Sequence, residues 1–201
     1  MAATTLEDAA RSAVALARGE TPAAGALDPT LLTRSRARVG RFTAGQRHVR
    51  GLFSGGTFCQ EAALILEEVS GAAAPHTTVD LGDDEFTVGR PHPMIDFRRR
   101  NERIVAAAED ASTAVILLDV VLGYGAHPDP AGALIPALDR ARRHATEAGR
   151  ALAVVASICG TANDPQDLSR QEETLTAAGV ILAPSNAQAA RLAAWLVAGG
   201  P

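Results

Sequence analysis

The chain has 201 residues, 47% of them hydrophobic, with a formal net charge of −4 at pH 7. That suffices for one α/β domain with a real core plus a short appendage, and it excludes a disordered chain and a general nucleic-acid binder. No apolar run reaches the ~18 residues of a membrane span, the opening "MAATTLEDAARSAVALARGE" lacks the apolar core of a secretory signal, and Cys59 and Cys159 make no disulfide framework, so the reading is a cytoplasmic protein. All 19 basic side chains are arginine. That excludes a Schiff-base lysine or a Walker lysine from this chain.

Residues 4–18 read as a helix: Thr5 caps it, Asp8 follows three residues later, and Ala9, Val14 and Leu16 are its apolar positions. "GETPAAGALDP" breaks it, and Asp28-Pro29 starts a second short helix over 28–38. "VGRFTAGQ" is linker-like. The expected organisation is a helical appendage over 1–45 and a main domain over 46–201. Met1 before a capped helix is read either as the start of a natural small subunit or as that of an excised domain.

A regular pattern then begins. "HVRGLFS" is a strand, and residues 56–69 form a helix with Phe58, Ala62, Ile65 and Val69 on one face. "HTTVDLG" is a second strand, followed by a long polar loop and a helix over 96–109. "TAVILLDVVLG" is a continuous apolar run suited to a strand buried on both faces. A helix over 129–147 shows Leu134, Leu138, Ala141 and Ala145 together. "ALAVVASICG", a helix over 165–178, "GVILAPS" and a helix over 185–198 complete the chain. Strands alternating with helices predict parallel pairing. The fold class is α/β, a flavodoxin-like doubly wound five-stranded parallel sheet of order 2-1-3-4-5.

Ligands of such a sheet bind beyond the carboxyl ends of the strands, and the unusual residues fall in those loops. Ser54-Gly55-Gly56-Thr57 joins the first strand to its helix. Two glycines allow close approach to backbone amides, two hydroxyls add donors, and the helix contributes its positive end, so the turn either holds a phosphate or carboxylate or simply caps a tight connection. In the second loop, Asp83, Asp84 and Glu85 either bind Mg²⁺ with phosphate oxygens or form a solvated acidic turn. Arg90, between Gly89 and Pro91, suits a fork onto an anion. His92, between two prolines, either donates a proton or hydrogen-bonds its own loop. Gly123, Gly125 and His127 form the third loop, with His127 a candidate general acid and Asp129 the natural cap of the next helix. Gly160 and Thr161 offer a second anion-binding turn. Cys159 closes an apolar strand, where a buried thiol is inert, and Cys59 in a helix's first turn has a dipole argument for a lowered pKa but a stronger one for packing. His48, His76 and His144 read as structural or surface residues.

The stretches "VRGLFSGGTFCQEA", "DLGDDEFTVGRPHPMID", "LLDVVLGYGAHPDP" and "APSNAQAARLA" resemble the carboxy-terminal region of the FdrA family, which is similar to the NDP-forming succinyl-CoA synthetases. The resemblance runs from about residue 45 to 198. It implies a ligase-type domain in which helix starts such as residues 54–57 face a phosphorylated histidine. It also implies acyl-CoA ligase or carbamoyl (oxamate carbamoyltransferase-like) transfer with a partner subunit, and CoA or carbamoyl phosphate as substrate. Two departures stand out. No G-x-G-x-x-G follows the first strand, and the loop after the fourth, "SICGTANDP", has no histidine where the synthetases carry theirs.

The expectation is therefore a subunit contributing a phosphate- or carboxylate-binding half-site, working with a partner subunit or as a homo-oligomer on a small anionic substrate. Ser54 to Thr57 would hold the oxyanion, Arg90 would clamp it, and His92 or His127 would transfer the proton. The alternative is a non-catalytic binding or assembly module that keeps the fold.

Overall fold

A computed structural model describes residues 3–23, 25–36, 42–71 and 74–199. Its elements run in order α1 (Leu6–Ala17), α2 (Pro29–Ser35), β1 (His48–Phe53), α3 (Gly56–Ser70), β2 (Thr77–Asp80), α4 (Asp84–Thr87), α5 (Arg98–Glu109), β3 (Thr113–Val121), α6 (Pro130–Glu147), β4 (Ala153–Cys159), α7 (Leu168–Ala177), β5 (Ile181–Ala183) and α8 (Asn186–Val197). The expected end of the second helix, residues 37 and 38, lies outside the described residues.

The five strands are parallel in the order β2-β1-β3-β4-β5, as alternation predicts. The chain steps outward from β1 to β2, then back across to β3. The sheet's direction of growth thus reverses between β1 and β3, the switch point at whose carboxyl ends ligands of doubly wound sheets bind. β3 is buried on both faces, which is why it reads as one apolar run. Alternate residues feed two cores. Leu117 and Val155 pack with Ile65 of α3 and Leu192 of α8. Ile116 and Leu118 pack with Ile104 of α5, Leu134 and Leu138 of α6 and Leu175 of α7.

Three local expectations are corrected. The buried residues of α3 are Cys59, Glu61, Ala62, Ile65 and Leu66, and Phe58 packs partly buried against the same core, while Val69 is exposed, so the expected face holds at Phe58, Ala62 and Ile65 and ends before Val69. The polar loop after β2 contains α4, a single turn begun by Asp83, whose carboxylate accepts from Glu85 N at 3.0 Å. Cys159 is exposed, because β4 carries it beyond the core.

α1 rests on α3 and α8 through polar contacts, whereas α2 also buries Leu31 in the core between them. Leu6 N donates to Glu61 Oε1 at 2.6 Å. Buried Gln188 donates to Glu7 and to Ala26 O, and accepts from Asp28 N. Arg191 pairs with Glu7 and Asp8 at 3.5 and 3.3 Å. Leu6, Val14 and Leu16 of α1 face outward, 50–66% exposed. Among the described residues no helix is long and apolar enough to cross a membrane.

Candidate functional site

Beneath the β1–α3 turn lies a buried polar core. Arg100, with zero exposure, projects from α5. Its guanidinium donates to Ser54 Oγ (2.9 Å), Leu52 O (2.8 Å), Asp119 O (2.5 Å) and Asp119 Oδ1 (2.7 Å). Asp119 also accepts from Ser54 N at 2.9 Å and from its hydroxyl at 3.2 Å. Burial pulls the guanidinium down from its ordinary value, and the Asp119 carboxylate opposes that pull. Ser54 is 2% exposed, so its hydroxyl and amide serve this network and are not offered to a ligand. That corrects the reading of Ser54 as a donor in the anion turn.

Above this core Gly55 precedes α3 at the capping position, where its backbone is extended and its lack of a side chain leaves the helix uncapped. The other described helices supply their own acceptors. Thr5, Asp28, Asp83, Asp129, Asp167 and Ser185 cap α1, α2, α4, α6, α7 and α8. Asp96 accepts from Arg98 N at 2.9 Å at the start of α5. The first-turn amides of α3, at Gly56 and Thr57, are open at the positive end of a 15-residue helix. Here a short donor turn and a dipole coincide.

The walls come from the β2 loop. Asp80 Oδ1 accepts from Gly82 N at 2.8 Å. A Cβ on Gly82 would meet Ser54 O at 2.5 Å and His92 Nε2 at 2.7 Å, and one on Gly56 would meet Asp80 Oδ2 at 3.1 Å. The α3 turn, Asp80, Gly82 and His92 therefore form one cluster, and a glycine is required at 82 for their approach. His92 Nδ1 accepts from Met94 N at 3.3 Å, which places the proton of the neutral ring on Nε2, toward the cluster.

The remaining sequence candidates lie elsewhere or are already engaged. Arg90 is exposed and lines an adjoining cleft of about 330 Å³ with Phe86, Pro91, Pro93 and Arg99. His127 packs edge-on against Phe97 at 5.4 Å, and its Nδ1 accepts from Asp129 N at 3.0 Å. It borders a neighbouring hollow with Ile95 and Asn101, which shares Pro91, Asp96 and Arg98 with that cleft. The Gly123 amide donates to Gln166 Oε1 at 3.0 Å, Gly125 sits in open space, and Tyr124 between them is 93% exposed. Gly160 is small because Leu122 lies 2.7 Å from where its Cβ would be. The Thr161 amide donates to Asp164 Oδ2 at 2.6 Å, so that turn carries its own carboxylate and the second anion turn is not formed. Asp83 is spent on capping, and among the described residues no group of three histidine, cysteine or acidic side chains converges as a metal site. Burial pushes the Cys59 thiol up, with Asp80 and Asp119 adding to the rise against a hydrogen bond with Thr78. Cys59 is a packing residue.

Sequence reasoning missed Arg100, hidden in the run Arg98-Arg99-Arg100, and the buried glutamines. Gln166 donates to Gly123 O (2.7 Å) and His127 O (3.2 Å), and Gln171 accepts from Ala131 N at 2.8 Å. Together they pin the β3–α6 loop. Their only signal was an uncharged polar residue among apolar positions.

Residues 52–196 match the model of the CoA-ligase family. The chain belongs to the CoA-ligase family. It is 37% identical over 192 residues to the uncharacterized protein YahF of Escherichia coli (strain K12), covering 87% of this chain and 37% of YahF. It is also similar to the crystal structure of PH0766 from Pyrococcus horikoshii OT3, with a TM-score of 0.48 and 13% identity over 94% of this chain and 43% of that one. The chain thus spans well under half the length of these two relatives. The family match begins in β1 and ends in α8. The open α3 turn and the β2 loop therefore belong to the CoA-ligase domain itself.

Proposed function

We propose that this CoA-ligase domain is the anion-binding half of an acyl-CoA-synthetase-like assembly, completed by further protein of the kind that fills out its longer relatives. The observation that carries the reading is the uncapped start of α3, set in a cluster with Asp80, Gly82 and His92. In the transfer of an acyl or carbamoyl group, negative charge gathers on a phosphoryl or carbonyl oxygen. The Gly56 and Thr57 amides hold that oxygen without reorganising, because Arg100 and Asp119 fix the turn from below. His92 holds a proton on Nε2 at the same place. We assign the proton role to His92 over His127, which borders a different hollow. CoA, when bound, supplies the thiol that accepts an acyl group. The donors on this edge, helix amides and guanidiniums, suit its thioester carbonyl and phosphates. The FdrA-like specialisation, carbamoyl transfer from carbamoyl phosphate, uses the same oxyanion contacts.

The test is binding. Inorganic phosphate, acetyl phosphate and carbamoyl phosphate should each raise the melting temperature of the purified chain. Thr57→Asp places a carboxylate at a helix start, which α3 tolerates and an anion does not. It should keep the fold and lose the shift. A preference for carbamoyl over acetyl phosphate would favour the carbamoyl branch. Phosphate binding to Thr57→Asp as tight as to the unmodified chain would remove the α3 site. A module that binds without catalysis is the second reading. The occupied Thr161 amide favours it, since one of the two expected anion turns is closed.

A further inference from the structure

The cleft that holds Arg90 is separated from the α3 turn by one strip of chain, Pro91-His92-Pro93. The prolines line the cleft, while His92 Nε2 lies against Gly82 on the other side. The cleft's charges are unevenly committed. Arg98 is bound to Asp96 by two carboxylate contacts of 2.5 and 2.8 Å from Nη2 and Nε. Arg90 has no ion-pair partner among the described residues, and neither has Arg99. Arg99 and Arg103, one helical turn apart on α5, rest their guanidiniums over Phe86 at 5.8 and 5.1 Å from the ring centroid. Phe86 belongs to α4, so this single turn gives both cations a plate to rest on. Glu102 is the one acidic lining residue besides the neutralised Asp96.

A guanidinium held over an aromatic ring keeps N–H donors for an anion and loses less side-chain entropy on meeting it. Phe86, Pro91 and Pro93 add apolar surface, and about 330 Å³ is room for a small ligand group.

We infer that Arg90 and Arg99, the two cleft arginines without an ion-pair partner among the described residues, form a second anion subsite, taking a phosphate or carboxylate on the non-reacting part of the substrate whose reacting anion lies at the α3 turn. That it serves the same substrate rests on the proposed role of that turn, whereas the subsite's affinity for anions does not. Binding at a remote group would position the reacting end and allow the chain to select elongated substrates with two anionic ends.

Calorimetry with inorganic phosphate at low ionic strength separates the two sites. The unmodified chain should bind two phosphates. Arg99→Gln should weaken one of them by about tenfold or more, as expected for lost charge-assisted hydrogen bonds, and leave the other unchanged. Thr57→Asp should remove the other alone. Arg90→Gln, on an exposed loop residue, repeats the first test without touching a helix, and circular dichroism checks that each variant is folded. Loss with Thr57→Asp and no change in either arginine variant would overturn the subsite while leaving the α3 site standing. Loss only in the arginine variants would leave the subsite and remove the α3 reading. No phosphate bound by any form would remove both.

Discussion

A guanidinium with zero exposure, held by one carboxylate, two carbonyls and a hydroxyl, sits directly below the β1–α3 turn. Two opposite charges out of water contribute little net stability together, but either alone is costly. Arg100→Met should therefore destabilise the chain by about 3–5 kcal/mol, and Asp119→Leu by a similar amount. The double substitution should recover most of the loss in urea unfolding. A double variant as unstable as the sum of the single ones would show that the two residues act separately. The recovered protein should still bind phosphate poorly, because Ser54 would lose the partners that hold the α3 turn in place. Gly82 makes a related point. Its missing Cβ leaves room for a backbone carbonyl and the His92 ring, and a carbonyl cannot swing aside as a side chain can.

Among the elements, α1 docks through charge while its apolar residues face water. Burial pushes the Glu7 carboxyl up, yet hydrogen bonds from Gln188, Arg11 and Ser185 outweigh it. For Asp8, bonds from Thr5, Gly25 and Thr4, with the charge of Arg191, outweigh burial in the same way. Both groups lie below the usual carboxylate range. A depressed carboxylate adds stability above its unfolded pKa and loses that addition as pH falls through its folded value. With unfolded values of about 4, docking of α1 should be complete near neutrality and weaken progressively below pH ~4. Hydrogen exchange of the α1 amides between pH 6 and pH 3 measures this. Glu7→Gln/Asp8→Asn should flatten the profile, and protection in the unmodified chain that stays constant across that range would sink the idea. α3 shows the converse. It is anchored by an apolar face, so its N-terminus can be left without a cap, which is the condition for holding a ligand there.

For the molecule as a whole, β3 joins the two cores, with alternate side chains committed to opposite faces. Neither face can melt without exposing the other, so unfolding should be one transition. Trp195, the only tryptophan, packs at the edge of the α3–α8 core, and its fluorescence should follow far-UV circular dichroism through urea unfolding. Leu192→Ala on that face and Leu134→Ala on the other should each cost about 2–5 kcal/mol, and each should move both signals together. Separate midpoints for the two signals would mean that the faces unfold independently.

The order of strands, the two-sided burial of β3 and the placing of polar loops on one edge were legible in the sequence, because hydrophobic periodicity and βα alternation are local patterns that parallel topology obeys. So was the α3 turn, from two glycines at a strand-to-helix junction. Which donors in those loops are free was decided only by tertiary structure. Ser54, Gly123 and Thr161 look like Gly56 and Thr57 in a string of letters. Their amides are taken by Asp119, Gln166 and Asp164, the first two from residues 65 and 43 positions away. Arg100 was one of three consecutive arginines, and only the helical twist of α5 turns it inward while Arg98 and Arg99 face the cleft. Periodicity reports which face of an element is apolar, whereas hydrogen-bond satisfaction depends on what the fold brings opposite each donor. The fold was therefore readable from the chain, and the engagement of its loop donors was not.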